Sequence, residues 1–186
     1  MPSLRIFFAI ELPSAAQYLM QKILSQLQSQ HRDESIHYSK LKNLHITLQF
    51  LKAVQLEDIP TICKNVRAEL NQFQSFHLEL GQLELFPTVK RPRIISLDVK
   101  PQDIINDLSH RVGRGIQAAN YDIEARPFRA HLTLARITKP WPLNEIYYPT
   151  IPPIPVDEII LFRSEPSSTG SLYSVLERIR LVPHSS

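Results

Sequence analysis

Two stretches of this chain carry the same pattern, LHITLQFL at residues 44–51 and AHLTLARI at residues 130–137. Each contains a histidine, an apolar residue, a threonine and a leucine in that order, and His131 follows His45 by 131 − 45 = 86 positions. Both stretches are apolar runs of strand character, in which side chains alternate between two faces. Each copy therefore places its histidine and its threonine, Thr47 or Thr133, on one face and its aliphatic residues on the other.

A four-residue pattern with one variable position also arises by chance, and a single copy would more often be a hydrogen-bonded core histidine. The duplication favours a functional interpretation. An imidazole titrates near neutral pH, so two of them supply a proton donor and a proton acceptor. Threonine hydroxyls donate hydrogen bonds to phosphate oxygens without adding charge. If both strands border one cleft, the pattern predicts an enzyme that acts on an anionic substrate by acid–base catalysis.

A metal site is the competing interpretation of the two histidines. Zinc usually has three or four protein ligands, often with a thiolate or a carboxylate among them. The chain has a single cysteine, Cys63, no His-Glu-x-x-His motif, and no Asp or Glu within either motif. The sequence therefore favours catalysis without a metal or any other cofactor.

A bound phosphate would need a neighbouring cation, and two arginines flank the second motif. Strict alternation puts Arg129 on the face of His131 and Arg136 on the opposite face. Arg136 reaches the cleft only if the strand bends or bulges near Ala135. On periodicity alone, Arg129 is the better candidate.

Composition and charge are those of an ordinary soluble protein. The chain has 186 residues, of which 43% are hydrophobic and 21% charged, and no apolar run approaches the about 20 residues that cross a bilayer. We expect a cytoplasmic protein with no membrane association, no obligatory protein partner and no signal peptide, since MPSLRIFFAIELP reads as a first strand. The net charge of +3 permits a modest phosphate-binding surface, without a basic tail that would bind nucleic acid by charge alone.

The order of predicted elements repeats once along the chain. In each half a strand, a helix and a short strand precede the strand that carries the motif. The Pro-rich residues 140–155 are predicted to form a loop, because they cannot be a central strand or a helix. This order predicts an α+β fold with mostly antiparallel pairing. The predicted strands cover 5–10, 36–38, 44–51, 76–80, 93–99, 129–137, 156–164 and 172–182, and the predicted helices cover 14–30, 56–71 and 101–119.

Five stretches spread over nearly the whole chain carry a resemblance to a known family: RIFFAIELP at 5–13, NLHITLQFL at 43–51, FP at 86–87, RPFRAHLTLAR at 126–136 and LFRSEPSSTGSLYSVLERIRL at 161–181. They resemble the two-histidine phosphoesterase superfamily, whose members carry two His–x–Thr/Ser–x motifs. Within it the chain is similar to RNA 2′,3′-cyclic phosphodiesterases, historically called 2′-5′ RNA ligases. Two positions depart from the family pattern, Lys52 where a glycine is frequent and Ala130 where a proline is frequent.

The resemblance implies a single domain over residues 1–186, built of two intertwined lobes with pseudo-twofold symmetry. Mostly antiparallel sheets would line a central groove, with helices packed outside, and the two motif strands would face each other across it. The implied reaction is metal-independent hydrolysis of a 2′,3′-cyclic phosphate to a 2′-phosphate. The implied substrates are RNA ends or small cyclic nucleotides.

The resemblance also implies a role for each site residue. His45 would be the general acid that protonates the departing ribose O3′. His131 would be the general base that activates water on the far side of phosphorus. Thr47 and Thr133 would hold phosphate oxygens. Arg136 matches an arginine of the family and would stabilise the charge that develops on phosphorus. Here the resemblance disagrees with strict alternation, and we follow the resemblance.

Other interpretations stay open. Phe50 stands five residues after His45, as Arg136 does after His131, and it either stacks a base or belongs to the core. The enzyme could instead join RNA ends such as tRNA halves through a 2′–5′ linkage, although dilute water favours hydrolysis. A non-catalytic module for RNA ends or nucleotides is a third possibility, but a pure binder would have no need of two proton-transfer groups.

Overall fold

The structure is a computed structural model that describes residues 3–30, 33–139, 150–168 and 170–184. It is an α+β fold whose helices and strands follow the predicted order. The strands are β1 Leu4–Glu11, β2 Ile36–Tyr38, β3 His45–Val54, β4 Phe76–Phe86, β5 Ile94–Lys100, β6 His131–Ile137, β7 Ile154–Val156, β8 Glu158–Ser167 and β9 Gly170–Arg180, and the helices are α1 Ser14–Gln30, α2 Ile59–Glu69 and α3 Gln102–Gln117.

Three details of the predicted order were wrong. The strand predicted at 76–80 continues to Phe86. No strand forms at 118–130, so the short strand before the first motif has no counterpart before the second. The Pro-rich stretch was predicted to be a loop to residue 155, yet Ile154–Val156 forms an edge strand, a position that tolerates Pro155. The rest of that prediction, at 140–149, lies outside the described residues.

Two antiparallel sheets carry the two motifs. The first has the order β3-β1-β8-β9 and the second β2-β6-β5-β4-β7. The motif strands β3 and β6 each pair with the first strand of their own half, β1 and β5. The next strand is exchanged between the halves: β8 pairs with β1, and β4 pairs with β5. Each sheet is therefore completed by a segment from the other half of the chain.

The apolar residues divide between a large core and a smaller cluster. On β1, Ile6, Phe8 and Ile10 belong to a core that runs through both sheets and the helices. The alternate residues Phe7 and Ala9 form the second cluster with Ile160 and Phe162 of β8. Since the second cluster also contacts the ring of His45, the first sheet presents an apolar face to the site.

The helices each bury one side, with Met20, Ile23, Leu24 and Leu27 inward on α1. Helices α2 and α3 approach so closely that a Cβ at Gly115 would lie 2.7 Å from the backbone nitrogen of Val66. Among the described residues, no helix is both long and apolar enough to cross a bilayer.

Candidate active site

The two motif histidines begin their strands and are held in the same way. The Nδ1 atom of His45 lies 2.6 Å from the carbonyl oxygen of Asn43, and that of His131 lies 2.8 Å from the carbonyl oxygen of Arg129. A carbonyl oxygen only accepts hydrogen bonds, so each Nδ1 carries a proton. The opposite nitrogen, Nε2, is therefore the one left to exchange a proton with a substrate.

The threonines share a face with the histidines, as alternation predicts. The Nε2 atom of His45 lies 3.0 Å from the hydroxyl oxygen of Thr47. Thr47 and Thr133 are both half-buried, whereas the intervening Ile46 and Leu132 are buried in the core. The predicted division into a polar and an aliphatic face is thus present in both copies.

A bulge in β6 changes the alternation after the second motif. Thr133 pairs with Ser96 and Ala135 pairs with Ile95, so Leu134 is an extra residue with no partner of its own in the β5–β6 ladder. Leu134 and Ala135 are consecutively buried, and Arg136 is exposed. An extra residue of this kind moves the side chains that follow it to the opposite face of the sheet. Arg136 therefore lies on the same face as His131, whereas strict alternation alone had placed it on the opposite face.

The same bulge occurs in β3. Thr47 pairs with Ala9 and Gln49 pairs with Phe8, which leaves Leu48 as the extra residue. Phe50 consequently occupies, in the first sheet, the position that Arg136 occupies in the second. The duplication thus extends beyond the four-residue motif to the irregularity that follows it.

Two serines donate hydrogen bonds to the backbone carbonyl oxygens of the extra residues at the bulges. The hydroxyl of Ser109 on α3 donates to the carbonyl of Leu48 (2.8 Å), and the backbone N–H of Ser39 donates to the carbonyl of Leu134 (2.8 Å). The buried Gln49 amide also donates to the backbone carbonyl of Ser109 (3.1 Å). Because an unpaired buried carbonyl is costly, these contacts stabilise the distorted strands.

Arg136 acts electrostatically on both histidines. The pKa of His45 is lowered by burial, and also by the charges of Arg136 and His131, against the opposing effect of the Asn43 carbonyl. The pKa of His131 is likewise lowered by burial, and Arg136 adds to this effect. Strands β3 and β6 are in contact, and the charge of Arg136 affects the pKa of both imidazoles, so both motifs belong to one candidate site.

Arg129, which alternation favoured as the phosphate ligand, is already engaged. Its Nη2 atom lies 2.6 Å from Oε2 of Glu84 and 3.8 Å from Oδ1 of Asp98. Its guanidinium covers the ring of Phe86 at 5.4 Å. Arg136, by contrast, forms no ion pair with any residue that the structure describes. Of the two arginines that flank the second motif, Arg136 is therefore the one whose guanidinium is available to an anion.

Aromatic rings contact both imidazoles, and no role had been predicted from the sequence for any of these rings. Phe7 lies 4.7 Å from the ring of His45, and Tyr173 lies 5.4 Å from it, edge-on. Phe86 stacks on His131 at 4.3 Å. Phe50, which sequence reasoning noted, lies 6.5 Å from Phe7 and is half-buried.

A cleft of about 170 Å³ opens beside His45. It combines apolar and polar groups, since Tyr173 and Leu172 line it together with Lys42 and Glu11. This mixture suits a ligand with a flat apolar part and polar edges.

The duplicated fold and its paired His–Thr strands define the class of two-histidine phosphoesterases. Comparison with known proteins identifies the family. The model of the 2′-5′ RNA ligase superfamily matches residues 12–165. The chain belongs to this superfamily and is an enzyme.

Curated relatives agree with this family, and a solved structure shares the fold. An RNA 2′,3′-cyclic phosphodiesterase of Methanothermobacter thermautotrophicus is 25% identical over 184 residues, covering 95% of this chain and 98% of the relative. One of Aquifex aeolicus is 30% identical over 152 residues, covering 75% and 79%. A crystal structure of a Thermus thermophilus protein has the same fold, with a TM-score of 0.83 at 23% identity, covering 98% of this chain and 100% of that one.

The competing interpretation was a metal site. Over the described residues, no three His, Cys, Asp or Glu side chains come together as a potential metal-binding group. The metal independence of the reaction stays a prediction.

Proposed function

We propose that the protein is an RNA 2′,3′-cyclic phosphodiesterase that hydrolyses a terminal 2′,3′-cyclic phosphate to a 2′-phosphate without a metal ion. The observation that carries the proposal is the pair of Nδ1-anchored imidazoles on two strands in contact, with Arg136 on the same face as His131. The curated relatives with this name support the choice of substrate.

In the proposed reaction, in-line displacement needs a base and an acid on opposite sides of phosphorus. Nε2 of His131 removes a proton from water, whose oxygen forms the new P–O bond. The bond from phosphorus to O3′ breaks, and Nε2–H of His45 protonates O3′. Thr47 and Thr133 donate hydrogen bonds to non-bridging oxygens, while Arg136 stabilises the negative charge that grows there.

Phosphorus NMR of a nucleoside 2′,3′-cyclic phosphate incubated with the protein in EDTA tests the proposal. The expected result is loss of the cyclic resonance and appearance of a 2′-phosphate at an unchanged rate with and without the chelator. A 3′-phosphate product would contradict the regiochemistry. Inhibition by EDTA that a divalent cation reverses would establish a metal enzyme instead. Absence of turnover together with tight binding would favour a non-catalytic module, and joined tRNA halves would reveal ligation.

The plot of kcat/KM against pH is expected to be bell-shaped, with its optimum below pH 6.5. Turnover requires His45 protonated and His131 unprotonated, so the optimum falls midway between their two pKa values. Burial, followed by lesser charge effects, places both pKa values below the ordinary 6.5 of histidine. The profile of kcat should lie at higher pH, because a bound phosphate anion raises both pKa values. A kcat/KM optimum above pH 6.5 would contradict this account.

A further inference from the structure

The two histidines have the same backbone anchor but different surroundings. Apolar rings surround His45, and the nearest carboxylate in register, Glu11, is paired with Arg178 at 3.6 Å. His131 instead has two carboxylates on neighbouring strands. Asp98 lies directly opposite it on β5, and Glu84 lies one strand further on, on β4.

Glu84 lies on the face of the second sheet that carries the site. It pairs with Ser96, which in turn pairs with Thr133, so the three side chains form one row across β4, β5 and β6. Its Oε2 atom accepts a hydrogen bond from Arg129 (2.6 Å). Its Oε1 atom and the hydroxyl oxygen of Ser96 are both buried, and neither has a hydrogen-bond partner among the described residues. Buried polar atoms without partners are costly, so each one needs an explanation, and a role in the site is one such explanation.

Glu84 is connected to His131 through Arg129. The carboxylate fixes the guanidinium, which covers Phe86 at 5.4 Å, and Phe86 stacks on the imidazole at 4.3 Å. The backbone carbonyl of Arg129 also accepts the Nδ1–H of His131 at 2.8 Å. The ion pair therefore holds in place both the ring that covers the imidazole and the residue that orients it.

We propose that Glu84 is a positioning residue for His131: it fixes Arg129 and Phe86 around the imidazole and stabilises the positive charge that appears when His131 removes a proton from water. The part concerning water rests on the proposed function, in which His131 is the base. The two surroundings would then divide the roles, with the base, His131, beside a carboxylate and the acid, His45, packed against aromatic rings.

The charges around His131 fix the direction of the expected effects. Burial lowers the pKa of His131, the Glu84 carboxylate raises it, and the guanidinium groups of Arg129 and Arg136 lower it. Asp98 faces His131 from β5, and His45 faces it from β3. Replacing Glu84 with glutamine should therefore lower this pKa, and replacing Arg129 with glutamine should raise it.

The experiment compares Glu84→Gln, Arg129→Gln and the control Glu69→Gln. Glu69 forms a similar ion pair with Arg114 (2.8 Å) between α2 and α3. Glu84→Gln should lower kcat about tenfold with a smaller change in KM, and it should move the limb of the kcat/KM profile that His131 governs, assigned by histidine-ring NMR titration, to lower pH. Arg129→Gln should move that limb to higher pH. The control should leave kcat and both limbs unchanged.

Histidine-ring NMR of the protein without substrate separates this proposal from the proposed function. If no cyclic phosphate is turned over, the pKa of His131 should still fall in Glu84→Gln and rise in Arg129→Gln. Shifts of the same sign in both variants, or an unshifted His131 and unchanged kcat in a folded Glu84→Gln, would overturn the proposal. Should Glu84→Gln fail to fold, the sign of the shift in Arg129→Gln decides.

Discussion

Replacement of either His45 or His131 with alanine is expected to lower kcat for a nucleoside 2′,3′-cyclic phosphate by roughly 10²–10⁴-fold. Each variant loses one proton-transfer group, while the backbone contacts that define β3 and β6 are retained. Steady-state kinetics with purified variants measures the effect, and thermal unfolding shows whether each variant is folded. His110→Ala is the matched control, because that histidine is exposed on α3. Turnover within a factor of two of the parent in either active-site variant would contradict the proposed site.

A second substrate separates the acid from the base. A 4-nitrophenyl phosphodiester releases a phenolate that leaves without a proton, so it has little need of a general acid. His45→Ala should therefore lose much less activity on this substrate than on the cyclic phosphate. His131→Ala should lose activity on both, because each reaction needs an activated water. The reverse pattern would exchange the two roles.

Part of the site could be predicted from the sequence because it depends only on the local geometry of two strands. Alternation is a local property of a strand, so it placed the histidines, Thr47 and Thr133 on one face correctly. The resemblance to the family favoured Arg136, although strict alternation put it on the wrong face. The difference is the bulge at Leu134, which depends on pairing with β5 and on a hydrogen bond from Ser39, almost a hundred residues earlier in the chain. No local pattern contains that information.

The residues that strand pairing brings to the site also could not be predicted from the sequence. Phe86 and Glu84 belong to the part of β4 beyond residue 80, where the sequence pattern had ended the strand. Their place beside His131 follows from the exchange of β4 into the second sheet. The FP dipeptide at 86–87 was noted as part of the family resemblance, but nothing in it indicated a stacked ring. Burial and charge around an imidazole are thus properties of the assembled sheets.

Replacement of Arg136 with glutamine is expected to lower kcat/KM by roughly 10²–10³-fold, the loss typical when one donor to a developing anion is removed. It should also move the kcat/KM optimum to higher pH, because the charge of Arg136 helps to hold the pKa values of His45 and His131 down. Complete pH–rate profiles of the parent and the variant measure both effects. Arg126→Gln is the control, since Arg126 is an exposed arginine paired with Glu124.

Arg136→Lys separates charge from geometry. Lysine keeps the positive charge, so the pH optimum should stay near that of the parent. It cannot form the paired hydrogen bonds of a guanidinium with two phosphate oxygens, so kcat/KM should recover only in part.

If Arg136→Gln retains parental kcat/KM and the parental optimum, the bulge at Leu134 does not serve to aim this guanidinium at the substrate. If the lysine variant recovers full activity, charge alone accounts for the contribution of Arg136, and the fork geometry of arginine is unnecessary.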